Sequence, residues 1–130
     1  MTQHTAQPDC IFCKIATKEF NTQIVYEDDQ VLAFNDIEPQ APTHILVIPK
    51  RHIATLNELQ DSDAALVGRL QLVAAKLAKQ LGFDAAGYRV VMNCNEDGGQ
   101  TVWHIHMHLL AGRNLNWPPG WFLPGAMNGF

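Results

Sequence analysis

Apolar and polar residues alternate strictly in the stretch WHIHMHLL, which holds three of the six histidines of the chain. Residues two apart point to opposite sides of a helix but share one face of a strand. As a strand, the stretch places its imidazoles on one face and Ile105, Met107 and Leu109 on the other. The alternation therefore predicts a strand over residues 102 to 111, with its apolar face buried and its imidazole face turned toward a site.

Four other apolar runs have the length and the β-rich composition of strands. In chain order they are QIVY, VLAFND, HILVIP and YRVVMN. The acidic turn EDDQ separates the first two runs, which predicts a hairpin, and Pro49 ends the third. The glycine-containing loop CNEDGGQT joins the fourth run to the histidine strand.

Helical spacing predicts one long helix from about residue 63 to residue 81. Ser62 or Asp61 is placed to cap its start, and Gly82 lies just past its end. An apolar stripe on this helix should pack on the sheet, and it consists of Leu66, Leu70, Val73, Leu77 and Leu81. A shorter helix is expected in DCIFCKIATKEF, with Asp9 as its N-cap.

Strands that precede and follow one long helix predict an α+β fold with a mainly antiparallel five-stranded sheet. A chain of 130 residues, of which 47% are hydrophobic and 17% charged, corresponds to one domain over residues 1–130. Residues 1–8 should be frayed, and residues 114–130 should be irregular because prolines and glycines interrupt them. This tail carries Trp117, Trp121, Phe122 and Phe130, so it either wraps on its own domain or reaches a neighbouring subunit.

Charge and composition narrow the possible partners. Nine Lys and Arg against 13 Asp and Glu give a net charge of -4, which offers no basic footprint for a nucleic acid. No apolar run approaches the roughly 20 residues that cross a membrane, and the N-terminus lacks a signal-peptide layout, so a cytoplasmic location is expected. Three cysteines are an odd number for a disulfide framework, which leaves Cys10 and Cys13 as thiols or metal ligands.

The row of imidazoles allows three explanations: a metal site, nucleophilic and acid–base catalysis, or histidines that only satisfy local hydrogen bonds. The adjoining loop DGGQT favours catalysis, because two adjacent glycines let backbone N–H groups approach an anion closely. Gln100 and Thr101 add polar side chains to this candidate phosphate cradle. Two alternative nucleophiles, Ser62 and Cys94, have no histidine partner visible in the sequence.

The stretch HIHMHLL fits the pattern His-φ-His-φ-His-φ-φ, where φ is apolar, of the histidine triad (HIT) superfamily. With IVYEDDQVLAFNDIEPQAPTHILVIPKRHI, GYRVVMN, DGGQTVWHIHMHLLAGR and NWPPG, the chain resembles the Hint branch of nucleoside phosphoramidases from about Cys10 to Gly120. The resemblance implies a HIT-like fold and a homodimer with a joint ten-stranded sheet. It also implies hydrolysis of purine nucleoside 5′-phosphoramidates and acyl nucleotides to nucleoside monophosphates.

The same resemblance assigns roles around the phosphate. His106 would be the nucleophile that attacks the α-phosphorus and forms a nucleotidyl-histidine intermediate. His44 would orient His106 and relay its proton, and His108 would hold an α-phosphate oxygen. Help with the phosphate would come from Asn93, Gly99, Gln100 and Thr101. Thr101 stands where relatives commonly carry a serine that donates to the leaving group, so the hydroxyl is kept and a methyl group is added.

For the nucleoside, the resemblance implies a carboxylate and an apolar slot. Asp36 would accept hydrogen bonds from both ribose hydroxyls. The purine slot would consist of Ile11, Phe12, Ile15, Phe34 and Ile37, although plain core packing explains the same residues. Trp117 resembles the tail residue that approaches the active site of the partner subunit.

Cys10 and Cys13 have the CxxC spacing of half a zinc site, and Zn²⁺ takes four nitrogen or sulfur ligands. In many microbial relatives, the histidine after the IPK strand and the first triad histidine complete the site, and here these are His52 and His104. Such a closed site would be structural, because four protein ligands leave no position for water. The alternative is that the cysteines are reduced thiols and His52 is a surface residue.

Two rival functions remain beside the phosphoramidase. A nucleotide-binding scaffold or regulatory protein with incidental catalysis would be expected to have lost an imidazole or a loop donor, and none is missing here. A dinucleotide polyphosphate hydrolase of the Fhit branch would share the triad, but it would match the WPPG tail and the DGGQT loop less closely.

Overall fold

The computed structural model describes residues 7 to 120, in which one five-stranded sheet forms the middle layer. The strands are β1 (Ile24–Glu27), β2 (Val31–Asn35), β3 (Thr43–Pro49), β4 (Tyr88–Val91) and β5 (Met107–Ala111). Their order across the sheet is β1-β2-β3-β5-β4, and every neighbouring pair is antiparallel. The predicted α+β class, the antiparallel sheet and the hairpin of the first two strands are confirmed.

The helices are α1 (Ile11–Ala16), α2 (Ala64–Leu81) and α3 (Asn95–Gly98), and short 3₁₀ turns at Leu56–Glu58 and Asp61–Asp63 lead into α2. The long helix is confirmed, and it ends at Gly82, whose φ of 86° lies in the left-handed region that favours glycine. The predicted loop between β4 and β5 contains the single turn α3. Among the described residues, none of these helices has the length and apolarity to span a membrane.

Both predicted helix N-caps were wrong, for two different reasons. The cap of α1 is Cys10 and not Asp9, because the Cys10 sulfur accepts the Cys13 N–H at 3.3 Å. At α2, Asp61 and Ser62 do not cap the helix but belong to the 3₁₀ turn that precedes it. Asp63 is the residue at the cap position, and its carboxylate turns back to accept the Gln60 N–H at 2.8 Å.

The histidine strand begins at Met107, five residues later than the alternation predicts. Its ladder with β3 starts at the pair Val47 and Met107. Before that pair the backbone bonds elsewhere, since the Ile105 N–H donates to the Ile53 carbonyl at 2.7 Å. The alternation nevertheless predicted the faces correctly, because Ile105 and Met107 both lie in the core beneath α2.

Each face of the sheet has its own apolar core. Beneath α2 lie Val31, Ala33, Ile45, Val47, Ile105, Met107, Leu109, Leu66, Leu70, Val73 and Leu77. The core between α1 and the sheet consists of Phe12, Ile15, Leu32, Phe34, Leu46 and Ile48. The last residue of the predicted α2 stripe, Leu81, is 53% exposed because the helix ends there. The alternation along β2 and β3 therefore supplies both cores, and α1 covers the face where the imidazoles lie.

A charged network ties the β1–β2 turn to α2. The Asp28 carboxylate accepts from the Tyr26 hydroxyl at 2.8 Å and from the Arg69 guanidinium at 2.8 and 3.0 Å. Its other oxygen accepts the backbone N–H groups of Gln30 and Val31. Burial raises the pKa of Asp28, but these hydrogen bonds outweigh it and hold the pKa well below its ordinary value.

We expect Asp28→Asn to lower the free energy of unfolding by about 1 to 3 kcal/mol at pH 7, since it removes the charge that Arg69 faces. Because the pKa of Asp28 is depressed by folding, its contribution is complete above the unfolded value of about 4 and is lost as the pH falls further. Urea unfolding at pH 7 and pH 3 measures both effects. Asp29→Asn, on the same turn but outside this network, is the matched control. A difference between wild type and Asp28→Asn that grew in acid would contradict the assignment.

Candidate active site

The central imidazole, His106, is buried and held in one tautomer. Its Nδ1 lies 2.8 Å from the carbonyl oxygen of His104, and a carbonyl can only accept, so Nδ1 carries the proton. Burial lowers the pKa of His106, opposed by that carbonyl and by the Asp36 charge. The ring is therefore neutral near pH 7, and its Nε2 presents a lone pair.

The flanking imidazoles of His44 and His108 form a hydrogen-bonded pair. The backbone N–H of Gln40 donates to His44 Nδ1 at 3.0 Å, so the proton of neutral His44 lies on Nε2. That Nε2 is 2.9 Å from His108 Nδ1, which must then accept, and the proton of His108 lies on Nε2. Burial lowers the pKa of both rings, that of His108 to about 4. The hydrogen bonds of the pair therefore all donate in one direction, from the Gln40 N–H through His44 to His108, whose Nε2–H is left to donate outward.

His44 was expected to orient His106, and the structure gives His44 a hydrogen bond to His108. The orienting contact of His106 is the His104 carbonyl. The rings of His106 and His108 are 5.0 Å apart, and after burial the pKa of His108 is lowered by the neighbouring imidazoles of His106 and His44. The three imidazoles therefore form one cluster in which His108 lies between the other two.

Asp36 lies at the edge of this cluster. One carboxylate oxygen accepts the Glu38 N–H at 2.8 Å, and the other is 3.4 Å from His44 Nε2. Asp36, His44 and His108 place their ligand atoms close enough for a metal ion. The Gln40 N–H opposes that use, since a metal on His44 Nε2 would move the proton to Nδ1, where it would face the Gln40 donor.

Of the predicted purine slot, Phe12, Ile15 and Phe34 are buried together in the core beneath α1. The Phe12 ring meets Phe34 at 5.5 Å and the His106 ring at 5.1 Å, both nearly edge to face. Ile11 and Ile37 are exposed, Ile37 by 93%. The structure therefore buries three of the five apolar residues in one core, with Phe12 against the central imidazole, and leaves two open at the surface.

The DGGQT loop is braced by its own glutamine. The Gln100 side chain is buried, accepts the Asn95 N–H at 2.8 Å and donates to the carbonyls of Ala54 and Val102. The backbone N–H groups of Gln100 and Gly99 are also occupied, since they donate to the carbonyls of Asn95 and Glu96 at 3.0 and 2.9 Å. The structure therefore does not offer the Gln100 amide or these two backbone donors to a phosphate. Gly99 has a φ of 84°, which favours glycine, and Thr101 is exposed at the start of the histidine segment.

Asn93 and Trp117, two other predicted site residues, lie beside the DGGQT loop and on the tail segment, respectively. Asn93 is half-buried after β4, and Gly98 of the loop packs beside its backbone. Trp117 is 82% exposed, just beyond a segment whose carbonyls at Leu115 and Asn116 accept from Arg89. The tail residues Trp121, Phe122 and Phe130 lie outside the described residues.

The four predicted metal ligands come together. The ligand atoms of Cys10, Cys13, His52 and His104 all lie within 4.8 Å of one another. His104 Nε2 is 2.7 Å from the Pro49 carbonyl, so its proton lies there and its Nδ1 faces the two sulfurs at 3.4 and 3.5 Å. His52 Nδ1 is 3.2 Å from the Cys13 sulfur. This donor set fits a metal ion, with the Pro49 carbonyl as an outer partner that orients His104.

The protonation of the cluster suits a ligand set. Burial lowers the pKa of His52, and it lowers that of His104 to about 4, so both imidazoles are neutral near pH 7. Burial raises the pKa of the Cys13 thiol to about 11. An incoming metal ion would therefore displace a proton from sulfur, which makes binding dependent on pH.

Two polar groups of the site were missed by sequence reasoning. They are the His104 carbonyl and the Gln40 N–H, which set the tautomers of His106 and His44. Every residue carries such backbone groups, so residue types give no signal for them. Only the APTH motif marked the neighbourhood of Gln40.

Taken together, the site is a set of neutral, tautomer-fixed imidazoles on one face of an antiparallel sheet, a class of centre suited to nucleophilic and acid–base chemistry. The family model of the HIT domain matches residues 17–115. The chain belongs to this HIT family.

Curated relatives and solved structures agree with that membership. The chain is 54% identical over 112 residues to an uncharacterised HIT-like protein of Synechococcus elongatus, covering 86% of this chain and 97% of the relative. It is 53% identical over 107 residues to the purine nucleoside phosphoramidase of Escherichia coli K12, covering 82% and 90%.

Among solved structures, a HIT family hydrolase from Legionella pneumophila has a TM-score of 0.85 and 54% identity, covering 86% of this chain and all of that one. A histidine triad protein from Clostridium difficile has a TM-score of 0.83 and 52% identity, covering 85% and 96%. The HIT-like fold implied by the sequence is thereby confirmed.

Proposed function

We propose that this protein is a nucleotide hydrolase that converts purine nucleoside 5′-phosphoramidates, and related acyl nucleotides, to nucleoside monophosphates. The observation that carries the proposal is the state of His106, a buried neutral imidazole whose Nδ1 is held by a carbonyl and whose Nε2 presents its lone pair. The similarity to the E. coli purine nucleoside phosphoramidase supports the substrate class.

The reaction proceeds in two displacements at the α-phosphorus. His106 Nε2 forms a bond to phosphorus as the bond from phosphorus to the leaving nitrogen or acyl oxygen breaks. The resulting nucleotidyl imidazolium keeps its Nδ1–H on the His104 carbonyl, which stabilises the positive charge. Water then attacks phosphorus, the P–N bond to His106 breaks, and the nucleoside monophosphate leaves with the neutral imidazole restored. The proton that the attacking water gives up to solvent balances the one that a leaving amine takes from solvent in the first displacement.

The neighbouring side chains hold the nucleotide. His108 donates its Nε2–H to an α-phosphate oxygen, since its Nδ1 accepts from His44. Thr101 and Asn93 complete the phosphate contacts, since the backbone N–H groups of Gly99 and Gln100 already donate to the Glu96 and Asn95 carbonyls, and the Thr101 hydroxyl donates to the leaving group. Asp36 accepts from the ribose hydroxyls. The purine lies in the slot formed by Ile11, Phe12, Ile15, Phe34 and Ile37.

We further propose that Cys10, Cys13, His52 and His104 hold one structural Zn²⁺ per subunit. Two thiols and two imidazole nitrogens are a donor set that zinc prefers, and four protein ligands leave no position for a reactive water. The ion would tie α1 to the histidine segment and supply no chemistry to the reaction. A reducing, cytoplasmic location would keep the two thiols available.

His106→Ala is expected to lower turnover of adenosine phosphoramidate by at least about a thousandfold, because it removes the covalent route and not one contact. Its circular dichroism spectrum and its affinity for AMP should stay close to those of wild type. Mass spectrometry of wild-type protein quenched during turnover should place the nucleotidyl adduct on His106. Near wild-type turnover by the variant, or an adduct on another residue, would refute the mechanism. A wild type that binds AMP without turnover would favour the scaffold function.

For the metal, Cys10→Ser combined with Cys13→Ser should abolish zinc binding and lower the melting temperature by on the order of 10 °C, since metal binding contributes to folding. Turnover below that temperature should remain measurable. Cys94→Ser, at the third cysteine and outside the cluster, is the matched control and should retain one equivalent of zinc. Elemental analysis of reduced protein purified without chelator provides the measurement. Reduced wild type free of zinc would end the proposal.

We also propose a homodimer in which the tail contacts the partner subunit. β4 lies at one edge of the sheet, and Arg89 on β4 holds the start of the tail beside that edge. A second copy paired at β4 would close the edge and form a ten-stranded sheet.

Light scattering at micromolar concentration should give twice the chain mass, and a monomer would exclude the assembly. Truncation after Arg113 should alter substrate preference, and an unchanged preference would remove only the role of the tail.

A further inference from the structure

Arg113 lies outside the imidazole cluster but contacts Gln40, whose backbone N–H bonds to His44. Strand β5 ends at Ala111, and Gly112, whose φ is 98°, separates the strand from Arg113. A Cβ at position 112 would lie 2.8 Å from the Pro42 side chain, so only glycine allows the end of β5 to pass this close to the loop before β3. The close passage brings the guanidinium of Arg113 over residues 40 to 42.

The guanidinium places two of its donors on one carbonyl oxygen and a third on another carbonyl. Arg113 Nε and Nη2 donate to the Gln40 carbonyl oxygen at 3.1 and 3.0 Å, and Nη1 donates to the Asn114 carbonyl. Gln40 is thus held by its carbonyl at Arg113 while its own N–H donates to His44 Nδ1. Two donors converging on one acceptor restrict the orientation of that residue more than one bond would.

We propose that Arg113 is a positioning residue that, through Gln40, sets the tautomer of the His44–His108 pair. The effect of Arg113 on turnover rests on the proposed function, whereas its effect on the tautomer of the two rings does not. With the Gln40 N–H in place, His44 carries its proton on Nε2 and His108 presents Nε2–H to the nucleotide.

The alternative state differs only by the position of two protons. If the Gln40 N–H moves away, His44 can carry its proton on Nδ1, and its Nε2 then accepts from Nδ1–H of His108. His108 would now turn a lone pair toward the anionic phosphate oxygen, where it repels instead of donating. Both rings stay neutral in either state, so no net charge opposes the exchange. Two groups select one state: the Gln40 N–H on His44 Nδ1, and the Asp36 carboxylate 3.4 Å from His44 Nε2. Of the two, the Gln40 N–H is the closer and is the one that Arg113 holds.

The test compares Arg113→Met with Arg113→Lys, which keeps one donor within reach of the Gln40 carbonyl. Arg89→Met is the matched control, since Arg89 also holds carbonyls of the tail but does not contact residues 36 to 44. Long-range ¹H–¹⁵N correlation spectra identify the protonated nitrogen of His44 and His108 in each protein without reference to activity. Initial rates with adenosine phosphoramidate give kcat and KM separately.

In wild type and Arg89→Met, we expect both rings to be protonated on Nε2. Arg113→Met should show Nδ1–H at both rings in a substantial population, with partial recovery in Arg113→Lys. Its kcat should fall about tenfold, the effect of losing one hydrogen bond to a charged group, while KM changes less than about twofold because the purine slot is untouched.

Wild-type nitrogen shifts in Arg113→Met would overturn the proposal, and so would an equal change in Arg89→Met, which would show a general effect of the tail. A tautomer change in Arg113→Met without any fall in kcat would leave the positioning intact. That result would instead contradict the role of His108 as the phosphate donor.

Discussion

The hydrogen bond from His106 Nδ1 to the His104 carbonyl is the contact on which the rest of the site depends. It fixes which nitrogen of His106 has a free lone pair, and it does so through the backbone of a residue that is itself fixed. The His104 ring donates to the Pro49 carbonyl at the end of β3 and faces two sulfurs from the start of α1. The orientation of the central imidazole is therefore inherited from the sheet and from α1, and not from another catalytic side chain.

Burial keeps the imidazoles of this arrangement neutral near pH 7. It lowers the pKa of five of the six histidines, namely His44, His52, His104, His106 and His108. Neutral imidazoles can pack 5 Å apart without the repulsion that a cluster of imidazolium ions would suffer. Neutrality also makes each ring asymmetric, with one donor and one acceptor nitrogen. The functional state of the cluster is thus defined by where each proton lies, and backbone groups determine those positions.

Particular residues show which features of the fold and the site could be predicted from the sequence. Alternation predicted that Ile105, Met107 and Leu109 lie in the core, because burial of one face dictates that pattern. It placed the strand start five residues too early, because Ile105 keeps the alternation while its N–H bonds to Ile53 outside the ladder. The CxxC spacing and the family resemblance predicted that Cys10, Cys13, His52 and His104 lie together, and the structure places them together. The contacts of Gln40 and Gln100 were beyond prediction, since they depend on the path of the backbone and not on residue type.

The short helix α1 has a consequence for how such a protein could be altered. Within four residues, α1 and its N-cap Cys10 supply two sulfurs to the candidate metal cluster and, between them, the Phe12 ring that meets His106. Successive helical residues are about 100° apart around the axis, so a single inserted residue would swing Phe12 or one sulfur away from its neighbours. The proposed metal ligation and the proposed nucleotide recognition are consequently inseparable over Cys10 to Cys13. A designer who wished to transplant either property into another scaffold would have to move this segment as one unit.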